Sequence, residues 1–284
     1  MKSKIMITID AETGEKASKT INGFNDFFIG KFGDKEFGAG FIAQILNRYN
    51  ISADFFCNVY ETKKYGEEKL ENIITRLIQM NQQIQLHTHP GFYFDENRRN
   101  LYDYDLNEQI DIIKHGKELI YKWTGKNPFA HRAGMYSAND NTIEALNKNN
   151  VKADSSYLSG NSNCKLSDFG LNKISEKSNV IEFPITVIQN IDGYRGIPFP
   201  RKRISKLDIN LFSPFWIYWI IKLLSRKTDY IMLFLHSSSF VKRNKYNKAV
   251  AINYSLISSF EILLQKLIEQ GYDFVSMEQF SYGK

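Results

Sequence analysis

Short apolar runs alternate along this chain with longer stretches in which apolar residues return every third or fourth position. The first pattern predicts buried β-strands and the second amphipathic helices. Strands are expected over residues 5–9, 53–59, 84–89, 128–132, 151–155, 179–184, 230–235 and 273–275. Helices are expected over 40–50, with Phe41, Ile42, Ile45 and Leu46 on one side, and over 67–80, with Leu70, Ile73, Ile74, Leu77 and Ile78. Further helices are expected over 106–123, 139–149, 207–225 and 249–270, the first of these stopped by Gly125 and Pro128. Strand followed by helix, repeated, predicts an α/β fold with a parallel sheet, open or closed into a barrel. No internal repeat, low-complexity segment or Pro/Gly/Ser-rich linker interrupts the pattern, so a single domain over 1–284 is expected.

Composition changes little in this picture. A chain of 284 residues, 43% hydrophobic and 24% charged, is ordinary for a globular protein. Two cysteines, Cys57 and Cys164, exclude a disulfide framework, and Cys57 lies in an apolar run as a small buried hydrophobe would. Met1-Lys2-Ser3-Lys4 leads straight into the first strand without a secretory pattern, so a cytoplasmic location is expected.

Charge adds one asymmetry. The net charge of +6 resides entirely in residues 161–284, with basic groups at Arg201-Lys202-Arg203 and Lys242-Arg243-Asn244-Lys245. A solvated face is the plain explanation, and attraction to lipid headgroups or a phosphate-bearing substrate is the sharper one. Residues 209–224 carry Phe212, Phe215, Trp216, Tyr218 and Trp219, but Pro214 interrupts them. The remaining apolar run is far shorter than the roughly 20 residues that span a bilayer. Burial is expected for this segment, with peripheral membrane contact as the alternative.

Candidate chemistry gathers where strands end. His87 and His89 alternate in an extended segment, so both rings leave the same face and could grip a divalent metal, zinc above all. Asp10 and Glu12 alternate in the same way after the first strand. One carboxylate could bind metal while the other takes a proton from activated water. Arg132, Asp154 and His236 also fall at or just after predicted strand ends. In (β/α) barrels such ends converge on one mouth. His236 is placed to protonate a leaving group. Asp154 could orient that imidazole or another group, whereas His131 faces away from Arg132 and His115 is expected to face solvent.

The ordered pieces Thr8-Ile9-Asp10-Ala11-Glu12, Ala53-Asp54-Phe55-Phe56, His87-Thr88-His89-Pro90, Arg132-Ala133-Gly134, Asp154-Ser155-Ser156 and Leu235-His236-Ser237 resemble the polysaccharide deacetylase superfamily. The resemblance runs from Ile5 to about Phe280. It implies a distorted (β/α) barrel with about seven parallel strands, and metal-dependent removal of acetate from an N-acetylated sugar. By the same resemblance Asp10 is the catalytic base, and Glu12, His87 and His89 are the metal ligands. Arg132 positions the base and His236 is the general acid. The implied substrate is an N-acetylated sugar, nucleotide-sugar or lipid-linked glycan, with no nucleic-acid partner. Two departures from the family pattern stand out. Ala11 or Glu12 replaces a second Asp found in many members, and Thr88 alone separates the two histidines. These departures motivate an alternative reading, a carbohydrate-binding relative without turnover. A second alternative is another metal-dependent amide hydrolase on the same barrel.

Overall fold

The computed structural model describes residues 2–14, 20, 22–194 and 196–283. For Gly193, Tyr194, Phe199, Arg201, Lys202 and Arg203 it describes the backbone alone, so the side chains of the 201–203 basic group lie outside the described residues. The strands of the main sheet are β1 (Lys4–Ala11), β2 (Asp54–Cys57), β3 (Gln83–Thr88), β4 (Ala130–Ala133), β5 (Ala153–Asp154), β6 (Ser175–Lys177) and β7 (Val180–Glu182). Two further strands, β8 (Val187–Tyr194) and β9 (Ile197–Lys206), form a separate two-stranded sheet, and β10 (Tyr230–His236) returns to the main one. The main sheet has eight strands in the order β10-β1-β2-β3-β4-β5-β7-β6. The pairings β1·β10, β3·β4, β4·β5 and β5·β7 are parallel, and β6 runs antiparallel beside β7.

Contacts divide the chain into two compact units. The first comprises Met1–Phe55, Gln79–Gln83 and Ile188–Ser276. At its centre β1 and β10 pair from Lys4↔Tyr230 through Asp10↔His236. Ile5, Met6, Ile9 and all of Tyr230–Leu235 are almost completely buried. That is why these strands read as continuous apolar runs rather than alternating ones.

Two helix expectations need correction in this unit. The helix expected over 207–225 is α5 (Pro214–Leu224), because Pro214 takes the first helical turn, where its missing N–H costs nothing. The helix expected over 249–270 opens instead with a strand, Ala249–Ile252, paired antiparallel with Val241–Arg243. Val250 and Ala251 suit extended backbone there, and α6 (Tyr254–Glu269) begins only after Asn253. The strand expected over 273–275 is reduced to one bridge, Ile5 to Phe274.

The second unit comprises Phe56–Ile78, Ile84–Val187 and Met277–Lys284. Its helices α2 (Glu67–Gln79), α3 (Leu106–Thr124) and α4 (Asp140–Lys148) match the periodicity within a residue or two. Helices α3 and α4 both start at capping boxes, Asp105 with Glu108 and Asn139 with Thr142. Helix α3 ends on Gly125 at φ 70°, a left-handed cap that glycine adopts without strain. Its Gly116 lies so close to the core that a Cβ there would meet Tyr60 Oη at 2.5 Å and Leu86 Cδ1 at 2.6 Å.

Gly116→Ala therefore sets roughly 1 kcal/mol of gained helix propensity against about 1–3 kcal/mol of overpacking. A lowered urea midpoint is expected. A raised midpoint would show that Tyr60 and Leu86 can move aside.

Candidate metal and acid–base site

Asp10, one residue before the end of β1, lies directly opposite His236, the last residue of β10. Ser237 ties the two strand ends together. Its amide donates to the Asp10 carbonyl at 2.9 Å and its hydroxyl to the Glu12 carbonyl at 2.9 Å. The His236 amide donates to Ser239 Oγ at 2.9 Å, and Ser239 donates to Asn210 Oδ1 at 2.7 Å. A cavity of about 330 Å³ opens here, with Glu12, Asn210, His236, Ser239 and Arg243 in its wall.

Burial holds the His236 imidazolium below its usual range, and the Lys206 charge adds to this, while Asp208, Asp10 and Glu12 pull the other way. Arg243, noticed in the sequence only as part of a basic cluster, lies 4.0 Å from the Phe27 ring centroid and donates to Ser238 Oγ at 2.6 Å. The antiparallel Val241–Arg243 strand brings it to the pocket, and the helical expectation for 249–270 had hidden that strand.

In the second unit, β3 carries His87 and the loop after it carries His89. The two rings meet edge to face, centroids 4.9 Å apart at 82°. His87 Nδ1 lies 2.8 Å from the Arg132 carbonyl oxygen. A carbonyl can only accept, so Nδ1 carries the proton and Nε2 keeps its lone pair. His89 lies against Gly134, where a Cβ would come within 2.4 Å of its Cε1 and Nε2. That requirement explains the glycine of Arg132-Ala133-Gly134. Beyond it the chain turns through Met135 and Tyr136 at φ 53° and 61°, strained for such side chains.

Arg132 is completely buried. Its guanidinium donates to the Ser155 carbonyl at 3.1 Å and Ser155 Oγ at 3.0 Å, and stacks 4.0 Å from the Phe56 centroid.

Asp154 lies on the opposite side of these strands. Its Oδ1 is 2.7 Å from His131 Nδ1 and accepts from Ser156 Oγ at 2.9 Å. His131 Nε2 in turn meets Thr88 Oγ1 at 2.9 Å. Asp154 thus orients His131, the residue expected to face away from Arg132. Glu182 pairs in register with Asp154. Burial, with the Asp154 charge beside it, raises the Glu182 carboxyl well above the carboxylate range. His115 departs from expectation. It packs beneath the aromatic loop, 4.4 Å from the Tyr93 centroid and 5.9 Å from Phe94, and burial lowers its pKa. Tyr93 and Phe94 are thereby drawn into a packed cluster with Tyr60.

Two imidazoles side by side, one of them fixed by a carbonyl on its far nitrogen, are donors suited to zinc. His87 and His89 fit the metal that the sequence pattern implies, and Glu12 is the further ligand that pattern assigns.

A family profile described as polysaccharide deacetylase matches residues 39–153. The chain is similar in structure to a candidate polysaccharide deacetylase from Mycobacterium smegmatis, with a TM-score of 0.62 and 14% identity, over 98% of this chain and 88% of that one. It is also similar to a CE4-family pseudoenzyme from Bacillus anthracis, with a TM-score of 0.51 and 12% identity, over 98% of this chain and 65% of that one. At such identities the likeness shows the fold, a distorted (β/α) barrel with a mostly parallel sheet. A search of curated proteins by sequence finds no match.

Two variants probe this geometry. Gly134→Ala should push the His89 ring aside and weaken zinc binding on the order of 10-fold or more, read by metal titration; unchanged affinity would remove His89 from the ligand set. Glu182→Gln mimics the protonated acid. A raised native pKa means the folded state holds a proton that the unfolded chain releases above about pH 4.3. Wild-type stability from this group therefore falls as pH rises towards the raised value. The variant should gain on wild type between about pH 5 and pH 8 in urea midpoints. A constant difference would show that Glu182 is ionised in the fold.

Proposed function

We propose that the whole chain acts as one catalytic domain, a metal-dependent hydrolase that removes an acetyl group from an N-acetylated sugar. The observation that carries this reading is the pairing of the His87 and His89 rings, 4.9 Å apart, with His87 Nδ1 held by the Arg132 carbonyl; Glu12 is assigned beside them from the sequence pattern. A divalent ion held there, zinc by the nature of its donors, would supply Lewis acidity. Asp10, at the end of β1, takes the proton of the attacking water. Arg132, buried and always charged, keeps the base region positively biased and fixed. His236 hands a proton to the departing amine. Burial lowers its pKa, which makes its imidazolium a stronger acid towards the amine. Asp154 acts at one remove, as a positioning residue through His131 and Thr88 on the histidine-bearing strand. The sugar would be carried on a nucleotide or a lipid, reached from the cytoplasm.

Ala11 favours a second reading, in which the protein binds carbohydrate without turnover. It stands where many superfamily members have an acid.

The decisive measurement is acetate release from N-acetylated glucosamine oligomers by zinc-loaded protein. Chelation should abolish it and added zinc restore it. Asp10→Asn and His236→Gln should each lower the rate about 10²- to 10⁴-fold, as loss of a general base or acid does. Full activity in Asp10→Asn would overturn the assigned base. Zinc binding without acetate release from any N-acetylated sugar would establish the second reading.

A further inference from the structure

Helix α5 is apolar on both sides, although only one side is covered. Ile217, Ile220 and Ile221 are buried, while Phe215, Trp216, Trp219 and Leu223 are 59%, 36%, 45% and 70% exposed. At 3.6 residues per turn those four fall on a single outward stripe. A patch of two indoles, a phenyl ring and a leucine on adjacent turns is unusual on a surface that meets only water.

Its rim is basic. Lys222 Nζ lies 5.0 Å from the Trp219 centroid and 5.7 Å from Tyr218, and Arg226 and Lys227 are exposed in the turn that follows. From the neighbouring helix α6, Lys266 Nζ comes 5.9 Å from the Tyr218 ring, and Ile262, one turn earlier, is 52% exposed. No acid occurs between Ile209 and Thr228. No helix among the described residues is long and apolar enough to cross a membrane.

We propose that the outward face of α5 docks onto a bilayer surface carrying anionic headgroups, lying in the interface without spanning it. The chemistry of the face argues for this occupant. Indoles favour the headgroup boundary, Leu223 and Phe215 reach into the acyl region, and the cations at the rim meet lipid phosphates. The surface stands independently of the deacetylase reading, since it needs neither metal nor turnover.

The test is co-sedimentation of the full chain with phosphatidylcholine vesicles prepared with and without phosphatidylglycerol, alongside tryptophan emission. Binding to the anionic vesicles is expected, with a blue-shifted emission, and it should weaken as salt rises. Trp219→Ser with Leu223→Ser should lower binding about tenfold or more. Lys222→Gln with Arg226→Gln should remove most of the preference for phosphatidylglycerol. All four positions are exposed, so circular dichroism and acetate release from a soluble substrate should be unchanged. Failure of the wild type to sediment, or equal sedimentation of the Ser variant, overturns the proposal. So does concentration-dependent self-association that the Ser variant abolishes without any vesicle binding, which would assign the face to a second copy.

Discussion

The hydrogen bond between His87 Nδ1 and the Arg132 carbonyl is the constraint on which the candidate metal site depends. It exists because β3 and β4 pair in parallel with His87 opposite Arg132. A slip of one residue would send every side chain of β3 to the other face. At 2.8 Å from an obligate acceptor, the ring has one tautomer and one plane, with Nδ1 committed to the carbonyl. Arg132 therefore contributes twice. Its carbonyl sets the imidazole, and its buried guanidinium, locked by Ser155 and Phe56, fixes the backbone that presents that carbonyl.

The opposite face of the same strands carries the cost of assembling polar groups in a core. Thr88, His131, Asp154 and Ser156 form a continuous hydrogen-bonded chain with no exposed member. Two carboxyls, Asp154 and Glu182, cannot both ionise side by side in such a place. The proton stays with Glu182, which has fewer partners, and Asp154 remains below the usual range through its hydrogen bond to His131. A charge distribution is thereby fixed behind the histidine-bearing strand. Replacing one member leaves the next buried and unpaired, which is why such a network specifies a single arrangement.

Much of this was legible in sequence because parallel strands announce themselves. Runs such as 230–235 are apolar on both faces, and a polar residue directly after such a run can only sit at a strand end. Asp10, His87, Arg132, Asp154 and His236 all obey that logic. What escaped was set by contacts between distant segments. Nothing local to His131 says that Asp154 will face it, since the two meet only when β4 and β5 pair. Arg243 was hidden because Ala249–Ile252 reads equally well as the start of a helix until its partner Val241–Arg243 is known. His115 lies among charged residues in sequence, but the loop that covers it comes from residues 92–94.

Serine is the element that turns strand ends into a site. A strand that stops leaves amides and carbonyls unpaired at its edge, and burial there is costly unless each finds a partner. A hydroxyl both donates and accepts, so one serine can close two such gaps. Ser156 accepts from the Ala133 amide and donates to Asp154; Ser137 accepts from the Leu101 amide and donates to the Gly134 carbonyl. Ser239 accepts from the His236 amide and donates to Asn210, and Ser237 donates to the Glu12 carbonyl. Ser156, Ser237 and Ser239 each fix the backbone of a candidate site residue or of its immediate neighbour. None would add chemistry of its own. The Ser155-Ser156 and Ser237-Ser238-Ser239 clusters, unremarkable as composition, hold the loops in which the acids and imidazoles stand.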